Sequence, residues 1–255
     1  MLYLRAVVTK MFSSSSHRSL PMTKHHNKPD LNQAQFQDTM FDHLMEKRIE
    51  HILLICSTYD AFILEEDGRI NEAIFQEYVS LNLRYPPRFI KAHSAERALE
   101  ILESDRVDLV INMLSISDQN PFEFSKVIKQ RFANIPIVVL TPFSREVSQR
   151  LAVQDLSGVD YVFSWLGNTN LLLAIIKLIE DKMNTDYDVG EVGVQCILLV
   201  EDSVRYYSSY LPNMYRIVIQ QSRAFMTEGL NEHQRTLRLR GRPKILLATN
   251  FEQAL

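Results

Sequence analysis

Five times between residues 51 and 183, a short and almost wholly apolar run gives way to a stretch with helical spacing. The runs are HILLIC (51–56), RFIKA (88–92), VDLVINM (107–113), IPIVVLT (135–141) and GVDYVFSW (158–165). A strand with one wet face alternates apolar and polar residues, whereas a strand apolar throughout must be covered on both faces. Each run has strand length, and IPIVVLT is the richest in β-branched residues. The stretches between them put apolar side chains on one side of a helix. In INEAIFQEYVSLNL (70–83) these are Ile74, Phe75, Tyr78 and Leu81. In AERALEILES they are Ala98, Leu99 and Leu102, with Ser94 placed to cap the amino end. PFEFSKVIKQRF opens on Pro121, SREVSQRLAVQ spans 144–154, and NLLLAIIKLIEDKM follows Asn168 or Thr169 as a cap.

Doubly buried strands alternating with amphipathic helices demand a parallel sheet with helices on both faces. Five such units over 49–183 predict a flavodoxin-like, doubly wound α/β domain with a five-stranded parallel sheet. The flanks read differently. Residues 1–30 hold Arg5, Lys10, Arg18, Lys24 and Lys28, with no acid before Asp30, and are serine-rich at 13–16. That resembles a transit peptide only superficially, and the expectation is a disordered tail ahead of alternative starts at Met22, Met40 or Met45. Residues 31–48 carry a modest apolar stripe and predict a lead-in helix. Residues 184–194, NTDYDVGEVGV, are polar with two glycines and predict a linker. The pattern then restarts over 195–255 with CILLV, a helical stretch over 204–236, KILLATN and FEQAL. ILLIC…RFIKAHSAERAL and ILLVE…KILLATNFEQAL form a weak internal repeat. One strand pair cannot bury a sheet of this kind, so the expectation is the front part of a second, partial and truncated domain.

Composition excludes several classes. A net charge of −3 supplies no bulk attraction to nucleic acid or to a membrane surface. The two cysteines, Cys56 and Cys196, lie in or beside apolar runs and predict reduced thiols in a cytoplasmic protein. LLLAIIKLI (171–179) is too short to span a membrane. LRLRGRPK (237–244) brings Arg238, Arg240, Arg242 and Lys244 together, and its RGRP resembles an AT-hook core. Its flanks are not basic, so a solvated loop is favoured. His17, His25 and His26 have no metal-ligand spacing, and the acids of EEDGR (65–69) do not alternate as a calcium loop requires. There is no glycine-rich phosphate loop, HExxH or nucleophile elbow.

The chemistry concentrates at ILLVEDS (197–203), where an apolar run ends in Glu201 and Asp202. Ligands of open parallel sheets sit beyond the carboxyl ends of the strands. Two adjacent acids there suit a hard cation such as Mg²⁺, or they cap the helix that follows. ILLVEDS followed by KILLATNFEQAL resembles the start of a response-regulator receiver (CheY-like) domain. In that family an acidic pair binds Mg²⁺, an aspartate ending the third strand takes a phosphoryl group from a histidine kinase, a Thr or Ser ends the fourth strand and a Lys the fifth. Carried onto 49–183, the resemblance puts Cys56 and Ser57 at the acidic pair, Met113 at the phosphoacceptor, Thr141 at the switch hydroxyl and Trp165 or Ser164 at the lysine. Only Thr141 matches, and Asp60 and Asp118 lie on loops outside those positions. The resemblance thus implies a non-phosphorylatable pseudo-receiver followed by a partial receiver that keeps a Mg²⁺ pair in Glu201 and Asp202. The implied partners are a histidine kinase or the protein's own output domain, and the chain by itself is no enzyme. Two rivals remain. One is the regulatory front of a larger nucleotide-using, phosphoenolpyruvate-synthase-like kinase. The other is a DNA-binding regulator, which needs a basic face or helix-turn-helix that these residues do not provide.

Overall fold

Parallel pairing of the apolar runs organises the molecule. The computed structural model describes residues 8–9, 43–58, 70–80, 83, 85–113, 120–142, 155–165, 170–224 and 240–254. A strand pair at the edge, β1 (Val8–Thr9), is followed by β2 (His51–Ile55), α1 (Ile70–Ser80), β3 (Arg88–Ala92), α2 (Ala95–Ser104), β4 (Leu109–Met113) and α3 (Pro121–Arg131). The chain continues through β5 (Ile137–Pro142), β6 (Tyr161–Trp165), α4 (Asn170–Thr185), a π-helical turn (Asp186–Glu191), β7 (Cys196–Val200), α5 (Val204–Ala224), β8 (Lys244–Ala248) and a 3-10 turn (Glu252–Ala254).

The central sheet runs β3-β2-β4-β5-β6, all parallel. Counted within the sheet this is the order 2-1-3-4-5, the flavodoxin-like winding expected from the sequence. Ser94 caps α2 by accepting the Arg97 N–H at 3.1 Å, and α3 starts on Pro121 behind Asn120. The helix expected over 144–154 lies outside the described residues. The pleat sends alternate residues to opposite faces. Ile52, Leu54, Ile111, Leu140 and Phe163 meet α1 and α4, while Leu53, Ile55, Val110 and Ile137 meet α2 and α3.

A second sheet runs β1-β7-β8, with β7 and β8 parallel and Val8–Thr9 antiparallel to β7. Two residues of the expected disordered tail are therefore paired, and the rest of 1–30 lies outside the described residues. The second sheet packs into the same core as the first. Leu199, Tyr207, Leu211, Tyr215, Ile219, Ile245 and Leu247 join α4, Tyr161 and Phe163 in one continuous cluster. Helix α4 serves both halves, and twelve of its residues from Leu171 to Asn184 are buried.

This corrects the expected linker over 184–194. Residues 184 and 185 finish α4, and Asn184 and Asp188 are buried. Their polarity answers polar backbone rather than water. Asn184 Oδ1 accepts the Lys47 N–H at 2.9 Å while its Nδ2 donates to the Lys47 carbonyl at 2.7 Å. Asp188 accepts the Met45 N–H at 3.3 Å and the Lys244 ammonium at 2.7 Å. Those bonds also overturn the tail end of the helix expected over 31–48. Residues 43–45 turn, Met45 sits at φ 54°, and the next residues run extended along α4. Residues 31–42 lie outside the described residues. Glu252–Ala254 form a 3-10 turn where the start of a helix was expected, and residue 255 lies outside the described residues.

Asp181 is the densest junction. It is fully buried, and its carboxylate takes Arg242 Nη2 at 2.7 Å and Nη1 at 2.9 Å, the Tyr215 hydroxyl at 3.0 Å and the Ile245 N–H at 2.9 Å. Burial works against the Arg242 charge, but the Asp181 carboxylate outweighs it and raises the guanidinium's pKa. Burial and the same carboxylate push the Tyr215 hydroxyl far above its ordinary range. Lys244 shifts down, from burial and from the charge of Arg242. The basic run RGRPK is therefore neither a solvated loop nor a minor-groove arm at these two residues, because Arg242 and Lys244 are buried in ion pairs.

Breaking a buried pair strands the surviving charge, at about 3–5 kcal/mol. Asp181→Ala is expected to cost about that much in equilibrium chemical denaturation, while Asp181→Leu combined with Arg242→Met recovers most of it. Equal losses in the single and double variants contradict the pairing.

Candidate functional site

In this winding the carboxyl ends of β2, β4, β5 and β6 converge on the crevice side of the sheet. Cys56 follows β2, is fully buried, and donates its N–H to the Ala92 carbonyl at 3.1 Å. Ser57 follows, half-buried. Met113 ends β4 with 5% exposure and belongs to the core shared with α1 and α4. Thr141, near the end of β5, is buried at 1% exposure. Across the β5–β6 ladder Thr141 pairs with Ser164, and Pro142 pairs with Trp165. Ser164 is thus the direct neighbour of Thr141, and the half-buried Trp165 packs against the core below. None of the residues that end these four strands carries a carboxylate or an ammonium group. Asp60 and Asp118 lie outside the described residues.

Soft sulfur from Cys56 and Met113 beside neutral hydroxyls is a poor donor set for Mg²⁺, which binds through carboxylate, water and phosphate oxygens. Among the described residues at these four strand ends, none offers Mg²⁺ a hard anionic ligand. One buried polar group near them escaped sequence reasoning. Asn112 is fully buried, and its Nδ2 donates to the Pro121 carbonyl at 3.0 Å and to Ser125 Oγ at 3.2 Å. It ties the start of α3 to the central strand. A polar residue within VDLVINM, next to Met113, is the signal that marks it.

The second acidic end is built differently. Glu201 follows β7 and donates its N–H to the Ala248 carbonyl at 3.0 Å. Its Oε1 accepts the Ser203 N–H at 3.0 Å, a tight turn that fixes the residue immediately before α5. Asp202 is exposed beside it. The pair supplies hard oxygens of the type Mg²⁺ prefers, one half-buried and one in solvent. Helix α5 is rich in tyrosine, with Tyr206, Tyr207, Tyr210 and Tyr215 along it. Tyr207 and Tyr215 turn inward, whereas Tyr206 and Tyr210 stack on each other outside with ring centres 6.0 Å apart. Tyr207 donates its hydroxyl to the Val162 carbonyl, and Ser208 Oγ accepts the Ser164 N–H at 2.9 Å.

Among the described residues, a group of possible metal ligands gathers at Glu50, His51 and Asp108. It lies at the amino ends of β2 and β4, opposite the crevice. Its carboxylates are engaged already. Asp108 Oδ2 accepts the N–H groups of Glu50 and His51 at 3.0 and 2.9 Å, and Arg106 reaches Asp108 at 3.0 Å and Glu50 at 3.2 Å. The group fastens the start of β2. Partial burial raises the proton affinity of Asp108, but the two backbone N–H groups and Arg106 outweigh it, so its pKa falls below the ordinary value. A carboxyl with a depressed folded-state pKa contributes stability that is complete above the unfolded pKa and is lost as pH falls through the folded one. Asp108→Asn is therefore expected to lower the denaturation midpoint at neutral pH and to narrow its gap from wild type as the solution is acidified through the carboxylate range. A gap that widens on acidification contradicts this assignment.

No protein-family model matches the chain. The haem response regulator HssR of Staphylococcus saprophyticus is 28% identical over 156 residues, which cover 59% of this chain and 66% of that protein. The chain therefore spans slightly under two thirds of that relative's length. Among solved structures, a CheY-like receiver domain protein of Methanospirillum hungatei is 18% identical over 54% of this chain and 98% of its own, with a TM-score of 0.40. A two-component response regulator of Clostridium difficile is 23% identical over 53% of this chain and 98% of its own, also at 0.40. In sequence and in strand order, this chain resembles the receiver domains of response regulators.

Proposed function

We propose that this chain is a regulatory module of the phosphorelay type, whose first half is a receiver that works through protein contact and takes no phosphoryl group. One observation carries this reading. Met113 occupies the end of the central strand β4, with 5% exposure and its side chain committed to the core. A thioether has no oxygen with which to attack a phosphoryl donor, and no carboxylate stands at the described ends of the neighbouring strands. Cys56 and Ser57 stand where a metal would have to offset the incoming charge, and neither is a hard anionic ligand. Thr141 persists as a hydroxyl packed against Ser164.

The second half contributes Glu201 and Asp202, which would hold Mg²⁺ with water completing its shell. The ion would offset negative charge at this end of the sheet. The partners of such a module are a histidine kinase or its own output domain. The setting is cytoplasmic, in keeping with two free thiols and with the absence of any described helix long and apolar enough to cross a membrane.

Incubation with an acyl phosphate and Mg²⁺, followed by reductive trapping and peptide mass mapping, is expected to find no phosphoaspartate within 49–183. An adduct on any aspartate there overturns the non-phosphorylatable reading. Calorimetric titration with Mg²⁺ tests the acidic pair separately. Wild type is expected to give a saturable heat that Asp202→Asn abolishes, and a heat that survives the substitution places the ion elsewhere.

A further inference from the structure

The first two turns of α5 touch both halves of the molecule. At their start, Glu201 Oε1 holds the Ser203 N–H, and the Ser203 carbonyl accepts from Tyr206 and Tyr207 at 3.0 and 3.1 Å. One turn further on, Tyr207 and Ser208 bond to Val162 and Ser164. Strand β6 ends the five-stranded sheet, so the groups on its outer side have no neighbouring strand. Buried edge groups are costly when unpaired, and α5 satisfies two of them with side chains. Ser164 then lies between two contacts, Ser208 outside the sheet and Thr141 inside it. At 1.5 Å per residue, Ser208 stands about 7.5 Å along the helix axis from Ser203.

Pro212 interrupts the same helix. It has no N–H to offer the Ser208 carbonyl, so the turn that carries Tyr207 and Ser208 is tied to the rest of α5 by one bond fewer. This short amino-terminal segment is held at its entry by the Glu201–Ser203 bond and tied less firmly at Pro212, the situation in which local opening of a helix end is easiest.

We propose that the first two turns of α5 form a relay, in which Glu201 sets how fully the segment is formed and the formed segment clips β6 beside Thr141. The partner of the first half's crevice corner is then this chain's own second half. Any event that draws the Glu201 carboxylate from the Ser203 N–H loosens the clip at Ser164. A bound cation is one such event under the function proposed above, but the relay itself needs no metal. Ser208 acts here as a positioning residue.

The test is amide hydrogen exchange on the full chain, read at Ser164 and referenced to Ile175 in the buried middle of α4. Ser208→Ala removes the acceptor and is expected to speed exchange at Ser164 without changing Ile175. Glu201→Ala, which leaves β6 untouched, is expected to speed Ser164 by roughly tenfold, the size of effect one lost hydrogen bond produces, again with Ile175 unchanged. Tyr210→Ser on the exposed side of the same helix leaves both amides at the wild-type rate. The relay is overturned if Glu201→Ala leaves Ser164 unchanged, or if every amide including Ile175 accelerates together. A wild-type rate at Ser164 in Ser208→Ala removes the clip itself. A Mg²⁺ titration without a site leaves each of these outcomes intact.

Discussion

The carboxylate of Asp181 decides how the halves of this molecule sit together. It lies on a helix that is buried along most of its length, and it is itself fully buried. Such a charge is tolerable only when its hydrogen-bonding capacity is filled. Arg242 meets it with both terminal nitrogens, Tyr215 with its hydroxyl and Ile245 with its backbone N–H. These partners come from the segment before β8, from α5 and from β8. A shift of β8 by one residue would leave the carboxylate without its backbone donor. Lys244 and Asp188 repeat the arrangement one step away, and Lys177 with Glu180 repeats it toward β2, where Glu180 also takes the Ile49 N–H at 3.2 Å. Hydrophobic contact alone would hold the second sheet against α4, but it would not fix which residues meet.

The first sheet, in contrast, ends its strands in core side chains, and under the function proposed above these would stand where a phosphoryl-accepting site needs carboxylates. Met113 and Cys56 are as buried as the aliphatic residues beneath them. In an active site, carboxylates at these positions would repel one another and would need a cation to be stable. Replacing them with thioether and thiol removes that repulsion and lets the strand ends pack. Thr141 remains where a hydroxyl can still bond, and its ladder neighbour Ser164 is held from outside by Ser208.

Most of the sheet was legible in the sequence because burial on both faces leaves a continuous apolar run. RFIKA and AERALEILES match their elements residue for residue, and the Ser94 cap and Pro121 start stand where the pattern put them. At the candidate site only placement along the strands was legible: Met113 ends β4, Thr141 is the last residue but one of β5, and Cys56 falls just past β2. What escaped the sequence was polar burial. NTDYDVG reads as a solvated linker because composition alone cannot tell an aspartate in water from one held by a buried lysine. RGRPK reads as a basic loop for the same reason. A clue lay in the spacing of Lys177, Glu180, Asp181 and Asn184, charged and amide groups inside an apolar helix, each of which needs a partner brought from elsewhere.

Helix α4, apolar around most of its circumference, has a mechanical consequence. A helix that ends one domain and borders a flexible connection normally shows one face to water, and the next domain swings about a hinge. Here α4 is wall to both sheets, and the chain leaves it through a packed π-helical turn. The two halves therefore share one torsional frame. A displacement in one half meets packed side chains of the other, with no solvated joint between α4 and β7 to take it up.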